Sequence, residues 1–273
     1  MHLEEIENLI KKEIAPKQFR NDSEIYGFHY GNYSYNKLIK KVMLTVDLSL
    51  NALHFAIKNK VSLIISLNGL ISDPIKNFKP NLINKISILS KFPISIFVLG
   101  SPFYAAEGGI IDLILDTLFL KLERPLNIKN NLDFNIPVGR ICIPKLYPSS
   151  KERLTLKDLI NRIYSNLNVK PIHYLGDLKK EISSICILGG EDHFIKYFDV
   201  VLSEDCDCFI IEKTNKSSLS CAFDLGVNLI EFSFFNCEIL AIKKLYNYLS
   251  LKFPYDEFYL FNSRNPLKLY ETL

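Results

Sequence analysis

The sequence predicts an α/β protein of two related units, each a mostly parallel sheet covered by helices, with a cleft between the units. Two segments, 42–66 and 185–212, share one order of elements: an apolar strand, an amphipathic helix and a second apolar strand. Each segment is followed by a further strand, at 93–100 and 227–233. Continuous apolar strands joined by helices are typical of parallel sheets covered on both faces. The pattern therefore predicts a duplicated β-α-β-α-β fold.

Two helices are predicted from the spacing of their apolar residues. The first occupies the start of the chain, where the acidic opening and the helical period favour an amphipathic helix over a signal peptide. Its apolar positions are Leu3, Ile6, Ile10 and Ile14. The second covers residues 151–167, with Thr155 as its N-cap. Its predicted buried positions are Leu156, Leu159, Ile160 and Ile163.

The boundary between the units is predicted near residues 127–135, where a polar stretch breaks the periodicity. On this prediction the first unit comprises residues 1–128 together with 232–273, and the second comprises residues 129–231. The aromatic tail, residues 254–273, is expected to dock on the body of the protein or on a neighbouring subunit.

Composition excludes several classes of protein. The chain has 273 residues, of which 48% are apolar and 23% are charged, as in a globular protein with a sizeable core. A net charge of +3 with scattered lysines gives no nucleic-acid signal. No apolar run reaches the roughly 18 residues of a membrane span. The six cysteines follow neither zinc nor secreted-disulfide spacing. We therefore expect a cytoplasmic protein with reduced thiols.

The order of motifs resembles the Nif-three-like dinuclear-metal-centre family, whose bacterial members are named GTP cyclohydrolase 1 type 2 homologues. The resemblance extends from about residue 3 to residue 253. AAEGGIID (105–112) is its most specific motif. The others are YGFHYG (26–31), VMLTVDLS (42–49), LIISLNGLI (63–71), VGRICIP (138–144), ICILGG (185–190) and DLGVNLIEFSFFNCE (224–238).

The resemblance implies two divalent metal ions in a cleft between the units, and a hexameric ring. The family's His-His pair falls on Leu67 and Asn68, and its aspartate falls on Tyr104. The late histidine falls on Phe234, and the glutamate falls on Glu238. Only Glu238 keeps the family's ligand type.

A metal site cannot be expected from this ligand set. A structural zinc site binds its ion with a free energy of about 10–16 kcal/mol, supplied by roughly four ligands. A single carboxylate would supply too little of this free energy to hold an ion. We therefore expect no cofactor and assign no catalytic residue. Glu238 is expected to pair with a lysine, an arginine or the hydroxyl of Tyr104 or Ser233, because a buried lone carboxylate is costly. The expected cleft-lining residues are Leu67, Asn68, Tyr104, Glu107, Ser233 and Phe234.

Other polar residues are weaker candidates. His193, beside Glu191 and Asp192, could meet an anion at a helix start, but its acidic neighbours argue against phosphate. Cys206 and Cys208 could face one side as a metal pair, although core packing is the favoured interpretation. His29, His54 and His173 are interpreted as core or surface histidines. Glu107 is expected to interact with amide dipoles in its turn rather than to act as one of two catalytic carboxylates.

The sequence leaves three functions open. The favoured one is a metal-free, non-catalytic member of the family that acts as an oligomeric binding or scaffold protein, with a protein partner or a small-molecule ligand. The alternative is a metal-dependent hydrolase of the GTP cyclohydrolase 1 type 2 kind, acting on a nucleotide-like substrate. The third is a small-molecule binding module that uses an apolar cleft lined by Phe234, Phe235 and Tyr104.

Overall fold

The chain forms two compact units in a computed structural model. Unit 1 comprises residues 1–106 and 238–265, and unit 2 comprises residues 107–237 and 266–273. The residues described are 1–20, 25–31, 37–71, 75, 77–130, 133–145, 153–190 and 193–266. Each unit is organised around one mixed sheet with helices, so the predicted α/β class with two sheets is confirmed.

The secondary structure alternates strands and helices over most of the described chain. The strands are β1 (Gly27–Tyr30), β2 (Lys41–Thr45), β3 (Leu63–Ser66), β4 (Ser95–Val98), β5 (Leu120–Lys129), β6 (Asn135–Pro144), β7 (His173–Leu175), β8 (Ile185–Leu188), β9 (Cys208–Ile211), β10 (Asn228–Glu231) and β11 (Glu257–Leu260). The helices are α1 (Leu3–Leu9), α2 (Leu50–Lys58), α3 (Pro80–Leu89), α4 (Pro102–Ala105), α5 (Ile110–Thr117), α6 (Leu156–Leu167), α7 (His193–Lys196), α8 (Phe198–Leu202), α9 (Lys216–Asp224) and α10 (Phe235–Lys252). A π-helical turn (Ile10–Ile14) extends α1, and a 3-10 turn (Lys17–Phe19) follows. None of the helices in these ranges is long and apolar enough to cross a membrane.

The sheet of unit 1 has the strand order β1-β4-β3-β2-β11. The four strands from β4 to β11 run parallel, and β1 is antiparallel to β4. The aromatic tail contributes β11, which pairs with β2 from Glu257 opposite Lys41 to Leu260 opposite Leu44. The mostly parallel sheet predicted for this unit is therefore present.

The sheet of unit 2 has the strand order β5-β6-β8-β9-β10-β7, and here the expected parallel arrangement is wrong. Only β8, β9 and β10 run parallel; β5, β6 and β7 are antiparallel to their neighbours. A short connection can join only antiparallel strands, whereas parallel neighbours need a long crossover. Only a few residues separate β5 and β6, so they form an antiparallel pair.

The unit boundaries differ from those expected from the polar stretch at 127–135. Unit 1 ends at Ala106 rather than at residue 128, and it resumes at Glu238 rather than at residue 232. The polar stretch contains the turn between β5 and β6, which belong to one sheet. Sequence polarity therefore identified a hairpin turn, not a link between units.

The duplication extends further than the β-α-β-α-β core. In both units the strand before the core pairs antiparallel with the third core strand, giving β1-β4-β3-β2 and β7-β10-β9-β8. In each unit, residues at the start of a helix (α1 or α6) form backbone hydrogen bonds with residues that precede the first core strand (β2 or β8). The backbone bonds are Leu3 N to Lys37 O and Ile39 N to Met1 O in unit 1, and Leu156 N to Lys180 O and Ile182 N to Leu154 O in unit 2.

Helices α1 and α6 share one apolar spacing. Leu3, Ile6, Ile10 and Ile14 are buried, as are Leu156, Leu159, Ile163 and Leu167, and both sets advance by three, four and four residues. Burying each such side chain contributes about 1.5–3 kcal/mol, so each stripe fixes its helix to its unit. The predicted Ile160 is only partly buried, and Leu167 completes the stripe instead.

Candidate functional site

Leu67 and Asn68 lie just after β3, where the resemblance places the histidine pair. The Leu67 side chain is buried, and its carbonyl accepts a hydrogen bond from Gly100 N at 3.0 Å. The Asn68 side chain is exposed, and its backbone N–H donates to Val46 O at 2.9 Å. The buried member of the pair therefore presents a hydrocarbon and no metal donor.

Tyr104 and Glu238 form a buried, hydrogen-bonded pair in unit 1. Tyr104 lies on α4, and Glu238 lies in the first turn of α10 rather than at a strand end. The Tyr104 hydroxyl donates a hydrogen bond to Glu238 Oε1, and the two residues are only 8% and 6% exposed. The expected hydroxyl partner of Glu238 is therefore confirmed.

This bond explains how a carboxylate can be buried in unit 1. An ionised side chain without a donor is expensive to remove from water, and a hydroxyl donor recovers part of that cost. The first turn of a helix also favours a carboxylate, because unpaired backbone N–H groups point towards it. Glu238 therefore has a structural role in unit 1.

The remaining expected cleft residues belong to unit 2. Glu107 is exposed in the turn before α5, and Ser233 is exposed after β10. The Phe234 side chain is fully buried, and its ring lies 5.0 Å from the ring of Phe232. Phe234 is thus a core residue of unit 2. A cleft between the units therefore stays a prediction.

The AAEGGIID and VGRICIP motifs meet through a charged pair. Asp112 Oδ2 accepts from Gly108 N at 2.7 Å, while Asp112 Oδ1 accepts from Arg140 Nε at 2.7 Å. Arg140 is 4% exposed and also donates to the carbonyls of Pro137 and Gly139. Asp112, not Glu107, provides the carboxylate that bonds the turn amide.

The weaker candidates separate into different environments. His29 lies in β1, where burial lowers its pKa, and His54 is exposed on α2. Glu191, Asp192 and the side chain of His193 lie outside the described residues, so the anion cradle stays a prediction.

Cys206 and Cys208 differ in burial. Cys208 is buried in β9, whereas Cys206 is half-buried before the strand. Cys237 is buried in α10. In the described ranges of the chain, no group of three or more His, Cys, Asp and Glu side chains could hold a metal ion.

The family's dinuclear centre does not fit the residues at the corresponding positions. Leu67 and Phe234 offer no donor, and the hydroxyl of Tyr104 is bonded to Glu238. A pair of divalent ions needs several imidazole and carboxylate donors that converge. No chemical step can be derived through metal ions at these positions.

A pocket that sequence reasoning missed lies in unit 2, at the carboxyl ends of β9 and β10. It has a volume of about 260 Å³, and its polar lining is His173, Glu212, Lys213, Glu231 and Ser233. Such strand ends are where ligands bind in open α/β sheets. The available signal was a set of polar residues at or just after the ends of two apolar strands: Glu212, Lys213, Glu231 and Ser233.

Glu231 connects the polar groups of this pocket. His173 Nδ1 lies 3.4 Å from Glu231 Oε1, because the two residues are direct partners across β7 and β10. Glu231 Oε2 accepts from Thr214 N at 2.9 Å, and Glu212 Oε1 accepts from Phe234 N at 3.3 Å. Each of the two carboxylates is thus held by a backbone amide. His173 is exposed, as expected of a surface histidine, and its ring lies beside Glu231.

The comparison with known protein families decides the classification. Residues 1–266 match the model of the family described as Duf34/NIF3 (NGG1p interacting factor 3). The chain belongs to the Duf34/NIF3 family. A GTP cyclohydrolase 1 type 2 homolog of Clostridium perfringens is 25% identical over 245 residues, which cover 87% of each protein.

Solved structures of other proteins share the fold. The Staphylococcus aureus hypothetical protein SA1388 superposes with a TM-score of 0.80 at 17% identity, over 99% of both chains. A Bacillus cereus protein related to NIF3 also gives a TM-score of 0.80, at 16% identity and over 99% of both chains. At these identities the likeness shows the fold alone, and the activity has to be argued from the residues of this chain.

Proposed function

We propose that this Duf34/NIF3 protein is metal-free and non-catalytic, and that it acts as an oligomeric binding or scaffold protein. The observation that supports the proposal is the hydrogen bond between Tyr104 and Glu238. Both positions correspond to metal ligands in the family resemblance, yet here the two side chains satisfy each other. In unit 1, the Tyr104 hydroxyl thus takes the place that a metal ion would have beside the Glu238 carboxylate.

The burial of Leu67 and Phe234 supports the same proposal. Both side chains are 0% exposed. Burying a leucine or a phenylalanine contributes about 1.5–3 kcal/mol to stability. The Leu67 and Phe234 side chains therefore stabilise the fold, whereas imidazoles at these positions would favour metal binding.

Elemental analysis of the purified protein tests the metal-free part of the proposal. We expect substoichiometric zinc, iron and manganese, both as purified and after incubation with each ion and desalting. Light scattering on the same sample should give an oligomer, with the hexameric ring as the expected species. Stoichiometric metal would overturn the proposal and favour the alternative, a metal-dependent hydrolase of nucleotide-like substrates.

The unit 2 pocket supports small-molecule binding as a second candidate. Its location at parallel strand ends and its fixed carboxylates are specific observations in favour. A guanine base presents adjacent N–H donors that match a carboxylate, and the names of the curated relatives include GTP. GTP and guanosine are therefore suitable probes.

Nuclear magnetic resonance of the histidine side chains tests this second candidate. With metal-free protein, we expect GTP or guanosine to shift the His173 signals and to leave those of the exposed His54 unchanged. The Glu231→Gln variant should lose the response. Equal shifts at both histidines, or none at His173, would contradict binding at this pocket.

A further inference from the structure

Helix α3 of unit 1 is less buried than its composition predicts. Its sequence, PNLINKISIL, contains five aliphatic side chains, yet only that of Leu89 is fully buried. The neighbouring helix α2 is one residue shorter and buries Ala52, Leu53 and Ala56. A helix that covers a sheet normally turns its apolar residues towards the core. Part of the apolar surface of α3 therefore stays on the outside of unit 1.

The exposed apolar side chains extend from α3 to the residues on both sides of it. Phe78, which precedes the helix, is 66% exposed. Ile83 within the helix and Phe92 after it are exposed as well. We call residues 77–92 the α3 segment. Large apolar side chains that stay in water along one segment indicate a surface that is covered by a partner.

The charged side chains of the α3 segment are all lysines. They are Lys79, Lys85 and Lys91, and the sequence contains no acidic residue between Asp73 and Glu107. Lys79 and Lys91 are exposed, one at each end of α3, whereas Lys85 is half-buried. The segment therefore combines exposed apolar groups with positive charge, which is complementary to a partner that is apolar and negatively charged.

The helix beside α3 does not neutralise this charge. Helix α2 packs against α3, contains no acidic residue and ends at the exposed Lys58. The carboxylate of Asp47, which precedes α2, accepts from Ser49 N at 3.0 Å at the start of that helix. The layer formed by α2 and α3 therefore has a positive balance of charge.

We propose that the α3 segment binds the surface of a membrane that contains anionic lipids. The exposed lysines interact with the negatively charged headgroups, and the apolar side chains of Phe78, Ile83 and Phe92 enter the boundary between headgroups and acyl chains. Binding of this kind lies in the plane of the membrane surface and needs no spanning helix. The proposal is independent of the function proposed above, which elemental analysis and light scattering test.

Two other partners fit the α3 segment less well. A second copy that met it about a twofold axis would bring Lys79 and Lys91 against the same lysines, and like charges across an interface repel.

A protein groove that receives a helix uses anchors three, four and seven residues apart. Three, four and seven residues after Ile83 stand the half-buried Ile86 and the polar Ser87 and Ser90. A lipid surface is deformable, so it needs no such row of anchors.

Vesicle flotation of the unmutated protein is the first test. The probes are vesicles of phosphatidylcholine alone and vesicles that also contain about one third phosphatidylserine. We expect binding to the anionic vesicles only, and a loss of that binding as salt screens the charges. No binding to the anionic vesicles at low salt, or equal binding to both compositions, would overturn the proposal.

Neutralising the exposed lysines tests whether the α3 segment is the part that binds. Each lysine near an anionic surface contributes about fivefold to affinity, so Lys79→Gln with Lys91→Gln should weaken binding about 25-fold. Lys157→Gln with Lys179→Gln removes the same charge from exposed positions of unit 2 and should bind like the unmutated protein. Equal losses would attribute binding to net charge and contradict the proposal.

Phe78→Ser tests the apolar part of the contact. The change should weaken binding to the anionic vesicles about tenfold, because an inserted ring leaves water. Phe223→Ser is the matched control, since Phe223 on α9 is 68% exposed and should not affect binding. Circular dichroism checks that both variants are folded.

Light scattering on the same Phe78→Ser variant distinguishes a lipid surface from a second copy. We expect its oligomeric state to equal that of the unmutated protein. Dissociation of an oligomer by Phe78→Ser, together with no vesicle binding by the unmutated protein, would overturn the proposal and assign the α3 segment to contacts between copies of the chain.

Discussion

The Tyr104 hydroxyl donates a hydrogen bond to the Glu238 carboxylate across 134 positions of the sequence. Both residues are buried in unit 1, and each stands at a position where the family resemblance implies a metal ligand. The bond gives the buried Glu238 carboxylate a hydroxyl donor and joins α4 to the start of α10.

Removing the Tyr104 hydroxyl should destabilise the protein. Tyr104→Phe leaves the Glu238 carboxylate buried without this donor, at a cost of about 1.5–3 kcal/mol. Urea unfolding measures the change in the free energy of unfolding. Tyr255→Phe is the matched control, because Tyr255 is 98% exposed and should change stability little. An unchanged midpoint for Tyr104→Phe would show that the bond contributes nothing to stability.

Restoring donors in unit 1 should create metal binding. A variant with Leu67→His, Asn68→His and Tyr104→Asp adds three donors to the native Glu238. Each ligand of a structural site contributes on the order of 3 kcal/mol, so a further Glu238→Ala change should weaken zinc binding by about 100-fold. Calorimetric titration with zinc measures both affinities, and circular dichroism checks that each variant is folded. A folded variant that does not bind zinc would mean that these positions do not converge.

Removing one member of the Asp112–Arg140 pair should be more harmful than removing a surface pair. Asp112→Ala leaves the Arg140 guanidinium buried without its carboxylate, at an expected cost of about 3–5 kcal/mol. Glu181→Ala breaks the exposed pair with Arg153 and should cost about 1 kcal/mol or less. Chemical denaturation of both variants gives the comparison. Similar losses of stability in the two variants would mean that the buried pair contributes no more than the exposed pair.

Asp207 should make the stability of the protein depend on pH in the acidic range. Burial would raise the pKa of Asp207, but hydrogen bonds from Ser183 and Ser184 outweigh it and hold the pKa below its ordinary value. A lowered pKa in the folded state adds stability that is fully present above about pH 4 and is lost as the pH falls through the folded value.

Asp207→Asn should remove this contribution. Its free energy of unfolding, measured in urea at a series of pH values, should fall less steeply below about pH 4 than that of the unmutated protein. Asp116→Asn, at an exposed position on α5, is the control. Parallel curves for the unmutated protein and the Asp207→Asn variant would contradict the assignment.

Local signals were sufficient for several elements. The Thr155 hydroxyl accepts from Asp158 N at 3.2 Å, and the Asp158 carboxylate accepts from Thr155 N at 3.0 Å, as the cap predicted for this helix requires. Ser49 likewise caps α2 by accepting from Ala52 N at 3.2 Å. Capping and apolar spacing act over a few residues, so the sequence contains the information directly.

Sheet pairing and side-chain partners could not be inferred in this way. The polar stretch at 127–135 was interpreted as a boundary between units, because polarity marks a turn without stating what the turn connects. The pocket with His173 and Glu231 was missed for a similar reason. These residues meet only because β7 and β10 pair, and no local spacing encodes that register.

The sequence by itself determined the α/β class, the repeated order of strands and helices, the apolar stripe of the N-terminal helix and the cap of α6. Only the tertiary structure decided that Tyr104 bonds Glu238 and that Asp112 bonds Arg140. The reason is the range of the interactions: apolar periodicity and caps act between near neighbours, whereas these pairs depend on how distant segments pack.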